Sequence, residues 1–126
     1  TMNLIKKVAL SLLCLISINA FADTNYDKRE LVRSINNSIT EIEVLSNKPS
    51  SENCLWHVRE SNVHMKSART AVFNDDVLSV KSHTLTADKS INDLEYEGPE
   101  CRRLLNESKK ASYLIQEVLH NLRNAT

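Results

Sequence analysis

The chain has 126 residues with 16 basic and 16 acidic side chains, three cysteines, one glycine and two prolines. This length corresponds to one domain. The balanced charge excludes the strongly basic surface that nucleic-acid-binding domains present, so we expect no nucleic-acid partner.

Residues 1–22 have the organisation of a secretory signal peptide. Lys6 and Lys7 form a charged n-region, and a mostly apolar stretch follows over residues 8–20. This stretch is shorter than the roughly 20 apolar residues that a membrane-spanning helix needs, so we expect no stable membrane anchor after processing. Thr1, which precedes Met2, is treated as an extra residue outside the fold.

The predicted cleavage site follows directly. Ala20 and Ala22 are the small residues that signal peptidase requires, which places the cut between Ala22 and Asp23. Residues 23–126 then form a single helical domain with two more acidic than basic side chains. The expected location is the periplasm or the outside of the cell, and the short signal suits a Gram-negative bacterium.

Four segments of the remaining chain have apolar residues at the three- and four-residue spacing of an amphipathic helix. Pro49, Gly98 and Pro99 are the only glycine and proline residues of the chain. Pro49 stands between two such segments, and the adjacent residues Gly98 and Pro99 stand between two others. No segment alternates as a strand would. The predicted helices span residues 26–46, 51–73, 75–95 and 99–123.

Several residues at the predicted helix boundaries are of types that favour the start of a helix. Ser50 is a candidate N-cap for the second helix, and Asn74 or Asp75 for the third. Pro99 suits the first position of the fourth helix, where its missing N–H would have no partner.

The buried seams follow from the same spacing. In the first helix the predicted seam is Val32, Ile35, Ile39 and Ile42. Small residues at the middle of the other seams indicate close helix packing, or alternatively room for a ligand. These small residues are Ser61, Ala68, Thr84, Ala87, Ser108 and Ala111.

Short connections make consecutive helices antiparallel, which predicts an all-α, up-down-up-down four-helix bundle. Loss of the signal peptide leaves Cys54 and Cys101, which begin the second and fourth seams at the same end. In an exported chain such a pair predicts one disulfide. The second and fourth helices are diagonal in a square bundle, so this end must bring them closer than usual.

The histidines are candidate metal ligands. His57 and His64 are seven residues apart on the second helix, about 10 Å, so they cannot share one ion without a further element. Glu60 lies one turn from each and could join either. Solvated histidines are the alternative. Haem is a further alternative, for which His120 is suitably placed but no first-helix methionine is present.

Trp56, Leu55 and Tyr96 are candidate partner-binding residues. All three lie near the predicted disulfide, and tryptophan and tyrosine are favoured anchors of protein interfaces. The alternative is that they cover the end of the core.

Extra leucines beside the seams either widen the buried stripes or form a homodimer face. These are Leu78, Leu85, Leu105, Leu114 and Leu119.

No nucleophile elbow, glycine-rich loop or paired-carboxylate motif is present, so we expect no enzyme, no catalytic residues and no cofactor. The sequence favours a non-enzymatic periplasmic or secreted binding protein, of the kind that acts as an immunity protein, an inhibitor or an envelope accessory. Its expected partner is another protein. The alternative is a metal- or haem-binding four-helix bundle.

Overall fold

The computed structural model describes residues 27–123, and this part of the chain is almost entirely helical. Among these residues there is no β-strand, and the predicted all-α class with four α-helices is confirmed. The predicted signal peptide and the bond between Ala22 and Asp23 lie outside the described residues. In chain order the helices are α1 (Lys28–Ser46), α2 (Glu52–Phe73), α3 (Val77–Asn92) and α4 (Leu105–Leu122).

Three of these helices are preceded by an N-cap residue whose side chain accepts a backbone N–H of the first turn. These residues are Asp27 before α1, Ser51 before α2 and Asp76 before α3. The predicted cap Ser50 is therefore wrong by one position. Ser51 has the extended backbone of an N-cap, and its Oγ accepts the N–H of Cys54 at 3.4 Å.

The turn between α2 and α3 explains a second difference from the prediction. Asn74 ends α2, and Asp75 has a positive φ of 56°, a conformation that Asp and Asn tolerate better than other non-glycine residues. The chain reverses at Asp75, so Asp76 rather than either predicted residue caps α3. Its Oδ1 accepts the N–H of Ser79 at 3.1 Å.

The segment between α3 and α4 is more irregular than predicted. Two short 3₁₀-helices, Asp93–Tyr96 and Pro99–Leu104, flank Gly98, whose φ of 105° favours glycine. Tight 3₁₀ turns are common at the ends of α-helices. As a result α4 begins at Leu105 instead of Pro99.

Neighbouring helices run in opposite directions. Along α1 and α2, Asn36 contacts Arg69, and further along α1, Glu43 pairs with the earlier Lys66. The same order holds between α1 and α4, so each helix has two antiparallel neighbours around one core. Further pairs are Ser61–Ala87 and His64–His83 (α2 and α3), Asp88–Gln116 and Asn92–Ser112 (α3 and α4), and Ser34–Asn121 and Lys48–Glu107 (α1 and α4).

The core lies between the four helices and follows the predicted seams, but in α1 the seam differs at both ends, since Leu45 beyond Ile42 is also fully buried. Leu31 is fully buried and Val32 only partly, so the seam of α1 begins one residue earlier than predicted. The largest fully buried side chains are Leu31, Ile35, Ile42, Leu45, Val58, Met65, Val72, Val80, Ile91, Leu94, Leu104 and Ile115.

The small seam residues support close packing. Ser61 is fully buried on α2, and its Oγ donates a 2.9 Å hydrogen bond to the carbonyl oxygen of Ala87 on α3. This bond requires the α3 backbone to approach α2 closely. Within residues 27–123, no helix has the length and apolar character needed to cross a membrane.

Candidate functional site

The two cysteines of the described residues are close together. Cys54 lies in the first turn of α2, and Cys101 lies in the second 3₁₀-helix. Both are fully buried, and their Cα atoms are 5.5 Å apart, inside the range of about 4.4–6.8 Å for a disulfide. Cys101 approaches α2 from the segment that precedes α4, so the diagonal separation of the two α-helices is no obstacle. We call residues 54–57 and 96–101 the disulfide end.

His57 connects the two parts of the disulfide end. Its side chain is nearly buried, and its Nε2 lies 2.9 Å from Oε1 of Glu97. The Nδ1 atom is buried without a hydrogen-bond partner in the described part of the chain. The Trp56 indole meets the imidazole edge-on, with ring centroids 5.0 Å apart. His57 thus pairs with Glu97, a residue that helical spacing does not indicate because it lies outside the predicted seams.

The aromatic side chains of the disulfide end face solvent. Trp56 is 54% exposed and Tyr96 is 82% exposed, whereas Leu55 is partly buried. Trp56 and Tyr96 are the sequence neighbours of His57 and Glu97, whose side chains contact each other across the disulfide end. Two aromatic side chains are therefore presented beside the paired cysteines.

His64 has a different environment. Its Nδ1 lies 3.0 Å from Nδ1 of His83 on α3, and its Nε2 lies 3.7 Å from Oε2 of Glu60. Two of the three predicted metal residues, His64 and Glu60, therefore lie close together. The third residue beside them is His83 and not the predicted His57. Spacing along one helix could not identify His83, because it does not show which residue of the facing helix lies at the same level.

Other polar features of the described residues are less concentrated. His120 is exposed and lines an open groove of about 500 Å³ between α1 and α4. Within residues 27–123, no group of three or more His, Cys, Asp or Glu side chains is arranged to hold a metal ion. The expectations of no cofactor and no catalytic activity stay predictions.

The extra leucines divide by helix. On α3, Leu78 is 74% exposed and Leu85 is 50% exposed. On α4, the three leucines Leu105, Leu114 and Leu119 are only partly exposed and widen its buried stripe. The five leucines therefore do not form one continuous exposed row, which a homodimer face made of all five would need.

This chain matches no protein-family model, no curated protein and no solved structure. Its function is inferred from its own geometry. Two features offer chemistry: the disulfide end with its exposed aromatic side chains, and the His64–His83 pair between α2 and α3.

Proposed function

We propose that this chain is a non-enzymatic, exported protein that binds another protein through its disulfide end. In this proposal residues 1–22 are removed during export, and residues 23–126 form an up-down-up-down bundle with a Cys54–Cys101 disulfide. The observation that carries the proposal is the exposure of Trp56 and Tyr96, the sequence neighbours of the paired His57 and Glu97.

The energetic case begins with the size of these side chains. An exposed indole or phenol ring leaves apolar area in water, and its burial against a partner contributes about 25 cal/mol per Å². Tryptophan and tyrosine are also enriched among the few residues that dominate binding free energies. Trp56 and Tyr96 are the two largest exposed side chains of the disulfide end.

The second support is the fixed backbone beneath these rings. Cys54 holds the first turn of α2 to the segment before α4, and the His57–Glu97 pair adds a second connection between the same elements. A surface that is already ordered loses less conformational entropy on binding. The disulfide end therefore suits a rigid recognition surface better than a mobile loop would.

The location is consistent with this role. A disulfide forms and persists in the periplasm or outside the cell, which are the compartments that the predicted signal peptide specifies. An immunity protein, an inhibitor and an envelope accessory share this design, in which a stapled helical scaffold presents a surface. We assign the chain to this class, with another protein as its partner.

Capture from envelope extracts with matched variants tests the proposal. The immobilised chain is compared with Trp56→Ala and Tyr96→Ala variants, and bound proteins are quantified by mass spectrometry. Phe73→Ala and Tyr113→Ala are the controls, since each of these side chains is 65% exposed but lies away from the disulfide end.

The expected result is one protein whose capture falls at least tenfold with either disulfide-end variant, as for residues that dominate an interface. The controls should retain it. Equal capture by all variants would show that the disulfide end is not the binding surface. N-terminal sequencing of the exported chain tests the location separately and should begin at Asp23.

A further inference from the structure

We propose that His64 and His83 together bind a divalent transition-metal ion, with Cu²⁺ bound most tightly. The two residues come from different helices, and their Nδ1 atoms lie 3.0 Å apart. This site lies between α2 and α3, so it is separate from the disulfide end.

The spacing of the two nitrogens matches metal chelation. Two imidazole nitrogens on tetrahedral zinc, each about 2.0–2.1 Å from the ion, are separated by about 3.3 Å. Two adjacent nitrogens of a square-planar copper site are separated by about 2.8–2.9 Å. The observed distance lies between these values and closer to the square-planar one. His64 and His83 can therefore bind one ion without a displacement of α2 or α3 by a helical turn.

The orientation of the rings defines the metal-free state. The ring centroids are 5.3 Å apart, which equals the nitrogen–nitrogen distance plus one ring radius at each end. The two Nδ1 atoms therefore face each other directly, as in an N–H···N hydrogen bond in which one ring donates and the other accepts. When a metal ion binds, the donating ring releases its Nδ1 proton and takes up a proton at Nε2 from solvent, and each ring turns so that the two Nδ1 lone pairs converge on the ion.

Glu60 lies near the outer nitrogen of His64, where metal-bound histidines usually have a supporting carboxylate, at 3.7 Å in the metal-free state. It lies one turn before His64, and its Oε2 approaches Nε2 of His64 on the side away from His83. A carboxylate in this position favours the tautomer with the proton on Nε2, which leaves the Nδ1 lone pair for the metal. Glu60 is thus a positioning residue in this site.

Solvent reaches the pair. Both histidines are partly exposed, and an open groove of about 310 Å³ between α2 and α3 includes His83 in its lining. The groove also contains the hydroxyl groups of Ser67, Thr70 and Ser79. It offers an entry path, and water molecules in it can complete the coordination of an ion held by two protein ligands.

The ligand chemistry selects the class of ion. Imidazole suits copper, nickel and zinc, whereas magnesium and calcium prefer oxygen ligands. Affinity for a given nitrogen site rises through the first-row series to Cu²⁺ and falls at Zn²⁺. We therefore expect the order Cu²⁺, then Ni²⁺ and Zn²⁺, with no binding of Mg²⁺ at the same concentration.

Calorimetric titration with these ions tests the site. The chain is expressed without an affinity tag and with residues 1–22 as its export signal. His64→Ala and His83→Ala should each weaken Cu²⁺ binding at least tenfold. Glu60→Gln should weaken it less than either histidine variant does. His120→Ala is the matched control, because it removes an exposed histidine on α4 and should leave the affinity unchanged. Circular dichroism checks that each variant is folded.

A measurement on the unmodified chain avoids dependence on variants. Cu²⁺ should protect His64 and His83, but not His120, from acylation by diethylpyrocarbonate, and the electron paramagnetic resonance spectrum should show coupling to two imidazole nitrogens. Equal Cu²⁺ affinity in the two histidine variants and the unmodified chain would overturn the proposal. Unprotected His64 and His83 at saturating Cu²⁺ would also overturn it.

Discussion

The two ends of the helical domain are held by different kinds of interaction. The disulfide end has a pair of buried cysteines and the His57–Glu97 pair, both connecting elements that are distant in sequence. The opposite end, formed by the start of α1, the α2–α3 turn and the end of α4, is held by non-covalent contacts such as the Asp76 cap and the Ser34–Asn121 hydrogen bond. We call it the open end.

The open end also has exposed apolar and charged surface. Phe73 is 65% exposed and lines a groove of about 750 Å³ together with Val32 and Arg29. Lys28 on α1 forms an ion pair with Asp75 of the turn, and both side chains are substantially exposed, so we expect this pair to contribute little. Exposed aromatic residues occur at both ends, but only those of the disulfide end lie on a cross-linked backbone.

The largest effect should come from removing the cross-link. The double variant Cys54→Ala and Cys101→Ala frees the ends of a segment with a sequence separation of 47 residues. In the chain-entropy model the free energy of unfolding then falls by about 4 kcal/mol. Urea denaturation measures this loss, and hydrogen exchange should show the disulfide end becoming as labile as the open end.

The reduced chain provides the control. Dithiothreitol should destabilise the unmodified chain by the same amount and leave the double variant unchanged. If the variant lost less than about 1 kcal/mol, the cross-link would not account for the difference between the ends.

The next effect should come from the His57–Glu97 pair. Glu97→Ala leaves His57, which is nearly buried, without its carboxylate partner. We expect a loss of about 1–2 kcal/mol, toward the lower part of the usual range because Glu97 itself is 38% exposed. Thermal denaturation measures it. Glu97→Gln keeps a hydrogen-bonding group and should lose less, and Glu95→Ala removes an exposed carboxylate of the same segment as a control.

A smaller effect is expected at the open end. Asp76→Ala removes the side chain that accepts the N–H of Ser79 in the first turn of α3. Loss of such an N-cap lowers the free energy of unfolding by about 1 kcal/mol. Asp76→Asn keeps the acceptor and should remain close to the unmodified chain. Equal destabilisation by both variants would assign the effect to the charge instead of the cap.

Much of the fold follows from the sequence because helical spacing determines which positions are buried. The predicted second and fourth seams need only the period of 3.6 residues, and both begin at a cysteine, which places Cys54 and Cys101 at the same end even though Cys101 lies in the 3₁₀-helix before α4. The caps were less predictable. Three adjacent polar residues follow α2, and the choice of Asp76 depends on Asp75 adopting positive φ.

The candidate sites were predicted only in part, because they join residues from different elements. Sequence spacing associated His57 with His64 on one helix, but the structure pairs them with Glu97 and His83, respectively. These partnerships depend on how far α2 and α3 are displaced along their axes and on the 3₁₀ segment around Gly98. A displacement of α2 along its axis by one helical turn would change the partners of both His57 and His64, while the apolar seams would remain nearly intact.

The smallest effect should appear on acidification at the end that is cross-linked. Lys48, just after α1, donates a 2.8 Å charged hydrogen bond to Glu107 in the first turn of α4. This hydrogen bond, and secondarily a backbone N–H, lowers the pKa of Glu107 below its ordinary value of 4.5. Since the folded chain binds this proton less readily than the unfolded chain, the carboxylate stabilises the fold fully above pH 4.5, and this contribution disappears as the pH falls through the lowered pKa.

Urea denaturation of the unmodified chain and of Glu107→Gln, compared from neutral pH downward, measures this contribution. The free energies of unfolding should differ at neutral pH and converge as the pH falls through the lowered pKa of Glu107, because protonated Glu107 and glutamine are both uncharged. Lys48→Met should reproduce the neutral-pH loss. A difference that persists in acid would mean that packing of the Glu107 side chain, rather than its charge, connects α4 to the end of α1. The disulfide end would then owe its stability to buried contacts and the cross-link alone.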